Sequence, residues 1–164
     1  MLSPGNPFKF ASVISFYLLL FFTANQLIAQ EISDNSLVEW HSDFELAKKE
    51  AEFSGKYVML YFSGSDWCKP CIQLNHNILE TETFSNYVKG SFVPVKLDFP
   101  KMKKNKPSRK KVVHNEELAD KFNPNGVFPL LVFLDNNDEM IGFTGFTNVS
   151  PHAYVSIIKK IMHQ

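Results

Sequence analysis

Cysteine is nearly absent from this 164-residue chain, which holds only Cys68 and Cys71. No framework of structural disulfides can therefore staple the fold, and its stability has to come from an apolar core. Charge of one sign is also lacking, since 17 basic side chains face 17 acidic ones and the net charge is zero. Such a balance excludes a global pull toward nucleic acid or an anionic membrane. The N-terminal apolar block, Phe10 to Ala24, falls short of the roughly twenty residues of a membrane-spanning helix.

That block suits an export signal instead. Met1 to Phe8 carry no acid, Lys9 precedes the apolar run, and Ala29 with Leu27 two positions earlier makes a passable small-residue cleavage site. Residues 1–29 are expected to be a signal peptide, with an uncleaved anchor as the alternative. Residues 30–164 then form one domain facing a non-cytosolic compartment. With 45% hydrophobic content and 16 phenylalanines, one good-sized core suffices for it.

Leu37 to Trp40 reads as a brief strand. Ser42-Asp43-Phe44-Glu45 has capping-box spacing, so a helix should start there, with Phe44, Ala47 and Ala51 on one face and Gly55 as its stop. Tyr57 to Phe62 is apolar on both faces, as in a central strand covered on each side. A helix is expected over Ile72 to Leu79 and a shorter one over Thr81 to Tyr87. Phe92 to Phe99 reads as a strand whose Pro94 must sit at its start or on an unpaired side.

The run Lys101 to Lys111 is the one strong charge cluster. It is expected to be a solvated loop, with a docking surface for an acidic partner as the second reading. No aromatic residue interrupts it, which disfavours nucleic acid. Asn115 then looks like the cap of a helix reaching Phe122. Leu130 to Leu134 is a buried strand, Asn136-Asn137-Asp138 a turn, and Glu139 to Thr144 the returning arm of a hairpin. Ser150 and Pro151 start a C-terminal helix. Strands alternating with helices and ending in a hairpin predict a three-layer α/β/α domain around a mixed sheet.

Chemistry concentrates at Trp67-Cys68-Lys69-Pro70-Cys71. The pair falls at a strand-to-helix junction, where unpaired backbone N–H groups stabilise the thiolate of the first cysteine. Two rival readings compete with redox chemistry, a closed structural disulfide and a zinc site. Zinc needs further ligands, and His76 is the nearby candidate. His41, His114, His152 and His163 read as surface histidines.

The element order and this motif resemble the thioredoxin superfamily, particularly its exported disulfide reductases and isomerases. The likeness runs from about Leu37 to Met162. Phe128-Pro129 before the hairpin is similar to the family's cis-proline loop, and Gly145 to the glycine that admits substrate backbone. The resemblance implies a thiol-disulfide oxidoreductase with Cys68 as exposed nucleophile and Cys71 as buried resolving thiol. Trp67 would wall the site, Lys69 would favour the thiolate, and Pro70 would stiffen the turn. Phe128 and Pro129 would present backbone to an extended substrate. It further implies protein substrates bearing cysteines or disulfides, no bound cofactor and no metal, a membrane electron donor, a monomer, and a periplasmic or extracellular location.

Two departures stand out. The acid that thioredoxins bury on the strand before the motif is absent, the corresponding positions being Tyr61 or Phe62. Leu130 follows the proline where threonine is usual. The direction of electron flow stays open, with a lean toward reductase or isomerase, and a non-catalytic peptide-binding module is the alternative.

Overall fold

The computed structural model describes residues 38–163. The expected signal peptide lies outside them. Helix α1 (Phe44–Ser54) buries Phe44, Ala47 and Ala51 and ends at Gly55, whose φ of 67° is cheap only for glycine. Its cap is Asp43 rather than Ser42, because the aspartate carboxylate takes the Leu46 N–H at 3.1 Å. A second orphan donor, the Phe44 N–H, goes to His114 Nε2 at 3.2 Å. That contact corrects the surface reading of His114, which is half-buried.

Strand β1 (Tyr57–Ser63) follows, then α2 (Lys69–Leu74), which continues as a π-helical turn over Asn75–Leu79. Helix α3 (Glu82–Ser91) is capped by Thr81 and runs past the expected Tyr87. Strand β2 (Phe92–Asp98), a 3₁₀ turn (Lys103–Asn105) and α4 (Arg109–Phe122) come next. The hairpin β3 (Leu130–Leu134) and β4 (Met140–Gly145) leads to α5 (Pro151–Met162), capped by Ser150. The hairpin turn places Asp138 at φ 61°.

The sheet order is β2-β1-β3-β4, with β1 parallel to β2 and antiparallel to β3. Because side chains alternate along a strand, β1 feeds two cores at once. Val58, Leu60 and Phe62 join Phe44, Ala47, Leu118 and Phe122 on the face covered by α1 and α4. Met59 and Tyr61 join Leu74, Phe84, Tyr154 and Ile158 on the face covered by α2, α3 and α5. Full burial of each such side chain is worth about 1.5–3 kcal/mol, which anchors β1 firmly on both faces. The redox motif hangs from its end.

Leu37 of the expected strand lies outside the described residues; residues 38–40 form no strand, and the pairing nearest them is a parallel bridge between His41 and Val95. His41 N–H donates to Pro94 O and Lys96 N–H donates to His41 O, both at 2.9 Å. Extending that ladder toward residue 39 would need an N–H at Pro94, which has none. Proline thus stops pairing on the outer edge of β2, on the side the sequence left for it.

Helix α4 begins six residues before the expected cap. Ser108 caps it, and Arg109, Lys110 and Lys111 form its first turn, all residues of good helix propensity whose polarity hides the apolar period. Asn115 is instead a buried mid-helix residue whose Nδ2 donates to Asp98 O at 2.9 Å. Part of the presumed basic loop is therefore helix.

Candidate active site

Cys68 is the N-cap residue of α2, with Pro70 in the helix's first turn, where a missing N–H costs nothing. The Cys68 sulfur accepts a hydrogen bond from Cys71 N–H at 3.2 Å, and the two sulfurs form a disulfide. Cys68 is 4% exposed and Cys71 1%. The expected open nucleophile is thus buried in this state, in which its sulfur caps α2 and is bonded to Cys71. Lys69 and Pro70 are exposed beside it.

Trp67 packs edge-on against Phe128 at 5.6 Å between centroids, and Phe128 packs on Phe99 at 5.4 Å. Indole Nε1 donates to Phe99 O at 2.8 Å. The indole also lies against Gly64, where an added Cβ would stand 2.6 Å from Nε1. Nothing in the sequence marked that glycine as obligatory.

The Phe128–Pro129 bond is cis and Pro129 is buried. Gly145 closes β4 opposite Leu130, and a Cβ there would lie 3.3 Å from Pro129 O. Tyr154 Oη donates to Gly145 O at 2.8 Å, fixing that corner from beneath. Burial pushes the Tyr154 phenol far above its ordinary range, so it stays a donor.

Of the two positions that could correspond to the family's missing acid, Tyr61 and Phe62, Tyr61 is the one with a polar group. It is 1% exposed, and its hydroxyl donates to Cys71 O at 3.3 Å. Burial raises its pKa, so it holds the Cys71 backbone and accepts no proton at neutral pH. A cavity of about 270 Å³ on the same side is lined by Cys71, Ser63, Lys96, His76 and Glu80. His76 Nδ1 lies 2.9 Å from Glu80 Oε2. No group of three metal-ligating side chains occurs among the described residues.

Three ties missed by sequence reasoning hold the motif's approach loop. Asp98 accepts from Ser65 N–H at 2.9 Å and Ser65 Oγ–H at 2.6 Å. The Asp66 carboxylate accepts from Lys101 N–H at 2.9 Å, Met102 N–H at 3.0 Å and Asn105 Nδ2–H at 2.9 Å. The Lys101 N–H leads the interactions that hold the Asp66 carboxyl below its usual range. The third tie is the indole bond to Phe99. Lys101 Nζ also sits 3.9 Å above the Trp67 ring, a cation–π contact. These partners are 32 to 39 residues apart in sequence, beyond the reach of any local pattern.

A disulfide capping a helix just past the central strand, with the neighbouring Trp67 packed on the residue before a cis-proline, defines a thiol-disulfide oxidoreductase with Cys68 and Cys71 as its redox pair. The thioredoxin-like family model matches residues 39–136. Disulfide bond reductase DsbH of Chlamydia pneumoniae is 32% identical over 125 residues, covering 76% of this chain and 73% of that protein. Thioredoxin-related protein DsbJ of the same organism is 30% identical over 125 residues, which span 76% of this chain and 35% of that protein. The solved structure of a DsbH oxidoreductase superposes with a TM-score of 0.72 at 28% identity, covering 78% of this chain and 86% of the other. A thioredoxin from Thermus thermophilus shares the fold, with a TM-score of 0.58 at 20% identity over 77% of this chain and 88% of the other. The chain belongs to the thioredoxin-like family.

Proposed function

We propose that this protein reduces or isomerises disulfides of exported proteins, with the Cys68–Cys71 pair shuttling two electrons. The observation that carries this reading is Cys68 at the N-cap of α2, its sulfur 3.2 Å from the Cys71 amide. Once the pair is reduced, free N–H groups at that helix start stabilise a Cys68 thiolate. The thiolate attacks one sulfur of a substrate disulfide. That S–S bond breaks, and its electron pair leaves on the second substrate sulfur, which takes up a proton. Cys71 gives up its proton and attacks Cys68 Sγ, closing the protein disulfide and expelling the first substrate sulfur as a thiolate that is then protonated.

Trp67 and Phe128 form the wall against which the substrate lies. The backbone of Phe128, with Pro129 and Gly145 behind it, offers an extended chain a strand-like edge. Lys69 adds positive charge near the thiolate, and Pro70 stiffens the turn. No bound cofactor is needed, because the sulfurs carry the electrons. Turnover in an oxidising compartment requires a donor to re-reduce the pair, which we assign to a membrane electron carrier, with the protein acting as a monomer outside the cytosol.

Insulin reduction with a recycling thiol tests the reading. The mature domain should reduce insulin and Cys68→Ser should not. Equal rates would sink it in favour of a peptide-binding module with a permanently closed disulfide, the reading that the 4% exposure of Cys68 favours. The reduction potential of the pair decides direction, a strongly negative value marking a reductase.

A further inference from the structure

The basic segment has a place in the fold that the redox chemistry alone does not explain. Residues 101–111 hold seven of the seventeen cations and no acid, which leaves ten cations against seventeen acids in the rest of the chain. The neutral protein is therefore strongly polarised. Lys101, Lys103, Lys104, Lys106, Arg109 and Lys110 are exposed, and among the described residues none of the six is in a salt bridge. Lys111 differs, since its Nζ is buried.

The segment is anchored beside the redox pair. Asp66, two residues before Cys68, spends its carboxylate on the Lys101 and Met102 amides and on Asn105. That acid pulls the segment in without pairing with any of its ammonium groups. Two residues span at most about 7 Å of chain, so the point where the segment is anchored lies next to the redox pair. Lys101 Nζ already covers the indole that walls the site. Lys103 and Lys104 lie in the 3₁₀ turn whose last residue, Asn105, grips the same carboxylate.

We propose that this segment is a docking surface for acidic stretches of the proteins whose disulfides are exchanged at Cys68, so that the substrate class is acidic polypeptide. This rests on the oxidoreductase reading above. A polypeptide fits better than nucleic acid or lipid, because the neighbouring surface offers half-exposed Trp67 and Val127, at 39% and 47%. Elsewhere the acidic excess repels extended polyanions, so only a locally acidic chain seated across the motif gains. Complementary charge of this kind acts chiefly on the association rate and on discrimination between partners.

Three disulfide-bonded peptide dimers, identical except for three flanking Glu, Lys or Ser residues, provide the test. Each is reduced by the dithiol form of the protein at low and at physiological salt. The acidic peptide should react about 10-fold faster than the basic one at low salt, with the gap shrinking as salt screens it. The triple variant K103E/K104E/K106E should abolish or invert this preference while leaving the Ser peptide's rate unchanged. Equal rates for acidic and basic peptides in the wild type would overturn the proposal, as would a preference that the triple variant retains. Binding to phosphatidylglycerol vesicles with no peptide preference would overturn it in favour of a membrane surface. Failure to reduce the Ser peptide in a Cys68-dependent manner would instead refute the oxidoreductase reading, so the two failures are separable.

Discussion

Replacing Gly64 by alanine probes the wall of the site with a single methyl group. The Gly64 backbone does not require glycine, because its φ lies outside the left-handed region, and any effect is therefore steric. The new Cβ would stand 2.6 Å from Trp67 Nε1, well inside van der Waals contact. Forcing extra volume into a packed contact costs about 1–3 kcal/mol. Relief by swinging the indole breaks its 2.8 Å bond to Phe99 O, a loss of about 1 kcal/mol. Gly64→Ala should therefore lower unfolding stability by roughly 1–3 kcal/mol. Urea denaturation measures this, and Trp67 emission reports the displaced ring. A double-mutant cycle sharpens it: with Trp67→Ala in the background the methyl meets open space, so the two changes should couple by about 1 kcal/mol or more. Additive costs would refute the claim that Gly64 exists to seat the indole.

The remaining expectations concern the redox sulfurs, a buried amide and a buried phenol, and the acid limb of stability. Cys71→Ser should accumulate mixed disulfides through Cys68, visible as adducts on non-reducing gels that thiols release. Asn115→Ala strips the Asp98 carbonyl of its 2.9 Å donor and should cost about 1–3 kcal/mol in urea denaturation. Tyr61→Phe should cost under about 1 kcal/mol, since its bond to Cys71 O is long at 3.3 Å and that carbonyl also accepts from Asn75 N–H. The carboxyls of Asp43 and Asp66 are held below their usual range, mainly by the backbone N–H groups of Leu46 and Lys101. Their stabilisation is complete above the ordinary carboxylate range and lost as pH falls through the depressed folded-state values. Asp66→Asn should thus flatten the fall of the urea midpoint between about pH 5 and pH 2.

Local signals carried most of the architecture. The two-faced apolar run of β1, the Gly55 stop, the Ser150-Pro151 start and the Asn-Asn-Asp turn each reflect chemistry within a few residues, and each element lies where that chemistry puts it. The start of α4 escaped because Arg109, Lys110 and Lys111 form a helix turn without an apolar period, so charge masked propensity. The edge bridge at His41 was shortened by a proline on another strand. At the site, the cysteines, Trp67 and the Phe128-Pro129 loop were legible as a motif. The supports were not: Gly64 under Trp67 is a local turn contact that no motif marks, and Tyr61 under Cys71 and Asp98 and Asp66 holding the approach have no sequence period.

The approach loop is tied to its surroundings at Ser65, Asp66 and Trp67, each time by a partner on or beyond β2 and never by a cysteine sulfur. Opening the disulfide therefore removes one covalent link without releasing the backbone that presents it. The reorganisation on electron transfer should accordingly be confined to side chains of a few atoms. Amide hydrogens at Ser65 and Lys101 should exchange equally slowly in the oxidised and reduced protein. Equal protection in both forms would mean that the site starts each half-cycle already assembled, with no loop to reshape.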